Sequence, residues 1–170
     1  MTEPEVPEMD RIGNELGKIL QLPHIFSFWL PIVPMPYKRP RSTGKFSRSG
    51  KPIMMNDPKY TKYRQDLVTL LRKEQIPDFD WLSIWACACS PYPKATKPEE
   101  MILCRASTKG RGDADNYVKP VKDSLEDLGT VTNDKNFYIQ ASGKFRYLFG
   151  SGLKIYLYGD DYSNARKHRV

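Results

Sequence analysis

The chain has 170 residues, with 27 Lys+Arg against 20 Asp+Glu for a formal charge of +7, and 39% of its residues are hydrophobic. That is enough for one domain with a real core, without internal repeats, and the basic balance agrees with a nucleic-acid partner. An odd count of three cysteines, no secretory leader and no apolar stretch long enough to span a membrane predict a cytoplasmic chain and argue against secreted or membrane-embedded classes.

Met9 to Gln21 carries Ile12, Leu16, Ile19 and Leu20 at helical spacing, which predicts an amphipathic extension over residues 1–25. Phe26 to Val33 reads as a strand. Next come Lys38, Arg39, Arg41, Lys45, Arg48 and Lys51, interleaved with Ser42, Thr43, Gly44, Ser47, Ser49 and Gly50. So polar a segment cannot form a packed core element, and a mobile basic loop that contacts phosphates is expected, a merely solubilising loop being the alternative. Asp57 as N-cap and Pro58 at the first helical position open a helix to about Glu74, with Tyr60, Tyr63, Leu67, Leu70 and Leu71 on its apolar face.

Trp81 to Cys89 and Met101 to Ala106 alternate as strands do, with Pro91, Pro93 and Pro98 in the loop between them. Val118, Val121, Leu125 and Leu128 predict a short helix ending at Gly129. Its start falls anywhere from Asp115 to Lys119, because Pro120 past the first turn would clash with the carbonyl four residues back, and Asp115 is a candidate N-cap. Phe137 to Ala141 and Leu153 to Tyr158 are further strands, joined through Gly143 to Gly152. The expected fold is α/β or α+β, a mixed β-sheet packed with helices over residues 26–160, followed by a basic tail over residues 161–170. Cys87, Cys89 and Cys104 read as core residues, since a zinc site would need a fourth ligand. Trp29 and Trp81 are expected in the core, with base stacking as the alternative. Tyr117, beside the acids, suits a substrate contact or helix packing about equally.

The chemistry centres on Asp113-Ala114-Asp115-Asn116, then Lys119, then Asp134 nineteen residues past Asp115. On an extended backbone two acids at i and i+2 point to one side and can share a hard cation, and the short run Thr130-Val131-Thr132-Asn133 can return Asp134 to them. Mg²⁺ takes oxygen ligands and keeps several waters, so such a site suits phosphoryl transfer, with the lysine stabilising transition-state charge or orienting water. Lys109 and Arg111, just ahead of Asp113, are candidates to hold the flanking phosphates. The alternative is that Asp115 caps a helix, Asp113 sits in a solvated turn and Lys119 covers a helix surface.

Asp113-x-Asp115-Asn116 with Lys119-Pro120, a helix ending near Leu128-Gly129, and Asp134 together resemble the RusA family of Holliday junction resolvases. Pro31-Ile32-Val33-Pro34-Met35-Pro36 with Lys38-Arg39-Pro40-Arg41 is similar to that family's opening, and Asp57-Pro58-Lys59-Tyr60 to the start of its first long helix. The resemblance spans Phe26 to Gly159. It implies that Asp113, Asp115 and Asp134 are metal-binding catalytic acids, that Lys119 is the catalytic lysine, and that the cofactor is Mg²⁺ with Mn²⁺ as a substitute. It also implies a four-way DNA junction as substrate and a homodimer, for which the strands Trp81 to Cys89 and Leu153 to Tyr158 and the N-terminal helix are interface candidates. One departure is Asn133, where the family often carries a second acid beside the third. A DNA-binding module of this fold without cleavage, and a metal-dependent transferase using Asp-x-Asp on a nucleotide-sugar, are the competing readings.

Overall fold

The computed structural model describes residues 7–19, 21, 24–77, 79–108, 112–131 and 134–161. Five strands, β1 (His24–Leu30), β4 (Phe79–Ser90), β5 (Cys104–Ala106), β6 (Phe137–Tyr147) and β7 (Gly152–Asp161), form one sheet in the order β1-β7-β4-β6-β5. β4 and β6 run parallel and the other neighbours antiparallel, so the sheet is mixed and the fold is α+β. β2 (Arg41–Phe46) and β3 (Pro52–Met55) make a separate hairpin.

Alternation along β4 builds two cores. Leu82, Ile84, Ala86 and Ala88 face one way, with Leu153, Ile155 and Leu157 of β7. Against them pack Tyr63, Leu67 and Leu71 of α2 (Pro58–Lys73) and Val121 and Leu125 of α3 (Val118–Asp127). Leu67, Val121 and Leu125 are fully buried, each stabilising by roughly 1.5–3 kcal/mol relative to exposure. Asp57 caps α2 as expected, its carboxylate accepting from the backbone N–H groups of Lys59 and Tyr60.

Trp85, Cys87 and Cys89 face the other way and meet Cys104, Phe145, Tyr147, Tyr156 and Tyr158. α1 (Pro7–Ile19) covers this second face with Met9, Ile12 and Leu16. It lies so close that a β-carbon at Gly13 would sit 2.8 Å from the Tyr156 ring. The Tyr156 hydroxyl donates to Asp10 at 2.7 Å and the Tyr158 hydroxyl to the Gly13 carbonyl at 2.9 Å. The buried Lys154 is neutralised by Asp10 at 3.6 Å. The expected extension is therefore an integral cover. β4 and β7 are interior strands buried on both faces, so they are not available as a dimer interface.

Several boundaries depart from those the sequence suggests. The basic segment carries the β2–β3 hairpin, whose strand residues are all exposed; backbone pairing and local hydroxyl hydrogen bonds, such as that from Thr43 to the Ile53 carbonyl, organise it. The strand expected from Met101 shrinks to Cys104–Ala106, because Pro98–Glu100 form a 3₁₀ turn. β6 runs on through Gly143 to Tyr147, its inward Phe145 and Tyr147 continuing the buried pattern, and the turn to β7 is short. Gly152 follows it under Trp29, whose ring a β-carbon there would meet at 2.0 Å.

Candidate active site

The segment carrying Asp113 and Asp115 is fixed from two sides. On one side Gly112, at φ +70°, lies against Pro36. Next to it the Tyr37 N–H donates to the Asn116 carbonyl at 2.7 Å. On the other side stand two residues of β6. The Ser142 hydroxyl donates to the Ala114 carbonyl, and Lys144 Nζ donates to the carbonyls of Gly112 at 3.1 Å and Thr108 at 3.2 Å. The proline-rich opening and the middle of β6 thus clamp the acidic segment between them.

Within that clamp the backbone changes type. Asp113 is extended (φ −76°, ψ 154°), but Ala114–Tyr117 form a 3₁₀ turn before α3 begins at Val118. The expectation that both acids share an extended stretch holds at Asp113 alone. Nor is Asp115 the N-cap of α3; Tyr117 holds that position, with no capping bond from its side chain. Pro120 then falls at the third helical residue, inside the first turn, where a missing N–H costs no intrahelical bond. Asp113 and Asp115 are both exposed, and among the described residues neither carboxylate has a hydrogen-bond or ion-pair partner.

Asp134 opens the 3₁₀ turn Asp134–Asn136 that leads into β6. This turn packs on α3 and β4, the two elements that also hold Ala114–Tyr117. The Asp134 side chain lies outside the described residues, and among those described no group of three His, Cys, Asp or Glu is gathered as a metal site. The chemistry of the donors suits a hard cation: two exposed carboxylates, rich in oxygen, have no cation paired with them among the described residues.

Lys119 is half-exposed, with Nζ 3.4 Å from Asp123 Oδ1 and 5.0 Å above the Tyr37 ring. It opens on a cavity of about 620 Å³ lined also by Tyr37, Tyr60, Arg64, Asp123 and Asp127, whereas Asp113 and Asp115 do not line it. Tyr37 is the link between the two, bonded to the acidic segment through its backbone and lying under the lysine with its ring. Burial pushes the Tyr60 phenol above its ordinary pKa, with the nearby Asp123 adding to the shift. The sequence reading missed Asp123, Tyr37, Ser142 and Lys144. The spacing of Asp123 four residues after Lys119 on one helix was the available signal for the first.

Among the basic residues, Arg41 and Lys45 sit on β2, with Arg48 and Lys51 in the turn region beyond it. Lys38, Arg39 and Arg41 line a shallow cavity of about 660 Å³ with Asn56 and Lys59. Lys38 Nζ also pairs with Asp57 Oδ2 at 2.8 Å, tying the hairpin's approach to the start of α2. This hydrogen bond, with that from the Lys59 N–H, holds the Asp57 carboxyl below its ordinary 3.8. Lys109 and Arg111 lie outside the described residues. Tyr117 is buried, so packing rather than substrate contact accounts for it. Trp29 packs on Tyr147 and Trp81 meets Tyr138 edge-on, while all three cysteines are free and buried, as core residues would be.

Comparison with curated proteins gives no match. The family model described as endodeoxyribonuclease RusA matches residues 31–148. α1, β1 and β7 fall outside that stretch. Inside it are the proline-rich opening, the hairpin, α2, the acidic segment, α3 and β6, well over half of the chain, which accordingly belongs to the RusA endodeoxyribonuclease family.

Proposed function

We propose that this protein is a metal-dependent endonuclease that resolves four-way DNA junctions by paired nicks, in recombination and repair. The observation that carries this reading is the clamped acidic segment: Asp113 and Asp115 are presented to solvent, unpaired among the described residues, on a backbone fixed by Pro36, Ser142 and Lys144. Exposed carboxylates repel a phosphodiester, so their use at a DNA surface requires a cation.

Asp113, Asp115 and Asp134 are the residues that would hold Mg²⁺, or Mn²⁺ in its place, which when bound offsets phosphate charge and makes water a better nucleophile. Water attacks phosphorus in line and the 3′ oxygen leaves, giving 5′-phosphate and 3′-hydroxyl ends that a ligase can rejoin. Lys119 supplies a cation for the charge that develops on the phosphoryl oxygens. Asp123 and the Tyr37 ring hold its ammonium group, which lowers the entropy lost on placing it. The hairpin's Arg41, Lys45, Arg48 and Lys51, with Lys38 and Arg39, contact the backbone of the junction arms, and Lys109 and Arg111 hold phosphates beside the cut. A homodimer places two such sites on the two symmetry-related strands.

A synthetic four-way junction incubated with and without Mg²⁺ tests this directly. Symmetric, ligatable nicks only with the ion are expected. Junction binding without nicking would overturn the cleavage step and leave a structure-selective DNA-binding protein.

A further inference from the structure

Arg105 of β5 and Arg146 of β6 stand directly opposite each other in the register of the sheet. Like charges so placed repel and destabilise the pair, unless an anion lies between or above them. Arg146 Nη1 donates to the Pro91 carbonyl at 3.1 Å, and among the described residues neither guanidinium is paired with a carboxylate. Both line an open cavity of about 330 Å³ at the end of the sheet, with Tyr92, Thr96, Glu100 and Thr108.

The row to which Arg146 belongs gives the cavity its direction. Phe145 and Tyr147 are buried under α1, so Ser142, Lys144 and Arg146 share the other face of β6. Ser142 and Lys144 are the residues that support the acidic segment. One row of side chains therefore runs from beneath Asp113 and Asp115 to the arginine pair. At ~3.3 Å per residue the pair lies about 13 Å along the strand from Ser142, roughly the rise of four base pairs of duplex. The basic hairpin follows in sequence from Pro36, the residue that touches Gly112 ahead of the acids.

We propose that Arg105 and Arg146 form a second phosphate-binding site for a DNA arm, on the β5–β6 side of the cut and distinct from the hairpin. The inference rests on the nuclease reading above. It gives the DNA a path across the acidic segment, with a basic surface on each side to hold the strand as it passes. Guanidinium groups suit the task because each presents several donors to phosphate oxygens in a fixed plane. The Thr108 hydroxyl, lining the same cavity, offers a further donor.

The test uses the full-length chain and a fluorescent four-way junction, with affinity measured over a range of salt. For Arg105→Gln/Arg146→Gln the log-log salt slope should fall by about 1.8, two contacts at about 0.9 each, and Arg105→Lys/Arg146→Lys should restore it. In the wild-type protein, junction DNA should protect Arg105 from an arginine-specific dicarbonyl reagent, a readout that does not depend on a variant folding. An unchanged slope with no protection, in a wild-type protein that binds the junction, overturns the second site and leaves the nuclease reading standing. A reduced slope that the lysine pair fails to restore also overturns it, by making the pair structural. A wild-type protein that does not bind the junction overturns both.

Discussion

Gly112 and Pro36, far apart in sequence, touch so closely that a β-carbon on Gly112 would sit 2.9 Å from that of Pro36. Gly112 also has φ +70°, a conformation that costs other residues roughly 1–2 kcal/mol. Gly112→Ala must therefore strain the backbone and push the proline segment away from the acids. The expected result is a loss of about 1–2 kcal/mol in urea unfolding together with at least about a tenfold fall in single-turnover nicking. Loss of stability with full nicking would show that the clamp does not set the position of Asp113.

Replacing Asp113, Asp115 or Asp134 by Asn removes an oxygen charge that a cation would neutralise, while easing repulsion of DNA. Nicking should drop by about a hundredfold or more in each variant, with junction binding kept or tightened. A variant that keeps near-wild-type rates removes that residue from the site. Lys119→Ala should lower the rate more than the affinity, and a fall in affinity alone would make Lys119 a phosphate anchor.

The pairing of Lys38 with Asp57 refines what neutralising the start of the basic segment should do. A lysine already bonded to a carboxylate releases fewer counterions on meeting a phosphate. Changing Lys38, Arg39 and Arg41 together to Gln should thus lower the salt slope by nearer to about 1.8 than about 2.7, at about 0.9 per lost contact. An unchanged slope would remove this part of the segment from the DNA interface.

The same pair predicts a pH effect. The Asp57 carboxyl is held below 3.8 in the folded protein, chiefly by the Lys38 hydrogen bond, so it binds its proton less readily folded than unfolded. Its contribution is fully present above the ordinary carboxylate value and is lost as the pH falls through the depressed one. Melting temperatures of wild type and Asp57→Asn should differ at neutral pH and converge in that acid window. A gap that stays constant would assign the effect to helix capping, which Asn also performs.

What the sequence made legible was local. The α2 cap at Asp57, the buried faces of α2 and α3, and the alternation along β4 and β7 each depend on spacing within one element, and each is present. The family motifs were legible for the same reason, being short and regularly spaced. The clamp was not, because Ser142 and Lys144 act through backbone carbonyls of a distant segment and leave no pattern in either stretch. Gly143 misled for a related reason. Glycine commonly marks a turn, but here it lies in a strand where a β-carbon would meet the Phe145 ring at 2.8 Å. α1 looked like an appendage because the polar atoms that receive it, the Tyr156 and Tyr158 hydroxyls, lie at the far end of the chain.

The final prediction concerns assembly. A four-way junction presents two strands related by a twofold axis, and resolving it requires a cut in each, so two identical sites on a C2 dimer match its symmetry. β4 and β7 cannot supply the interface, being interior. Exposed apolar residues remain at one end of the sheet, where the Leu148 N–H donates to the Leu103 carbonyl and so brings Ile102 near Leu148 and Phe149. Light scattering at micromolar protein without DNA should give twice the chain mass of 19.7 kDa, and Leu148→Asp/Phe149→Asp should return it toward that single mass. A wild-type mass that stays at 19.7 kDa as the concentration rises would mean that the two copies meet only on the junction, and nicking would then depend on the square of protein concentration at low occupancy.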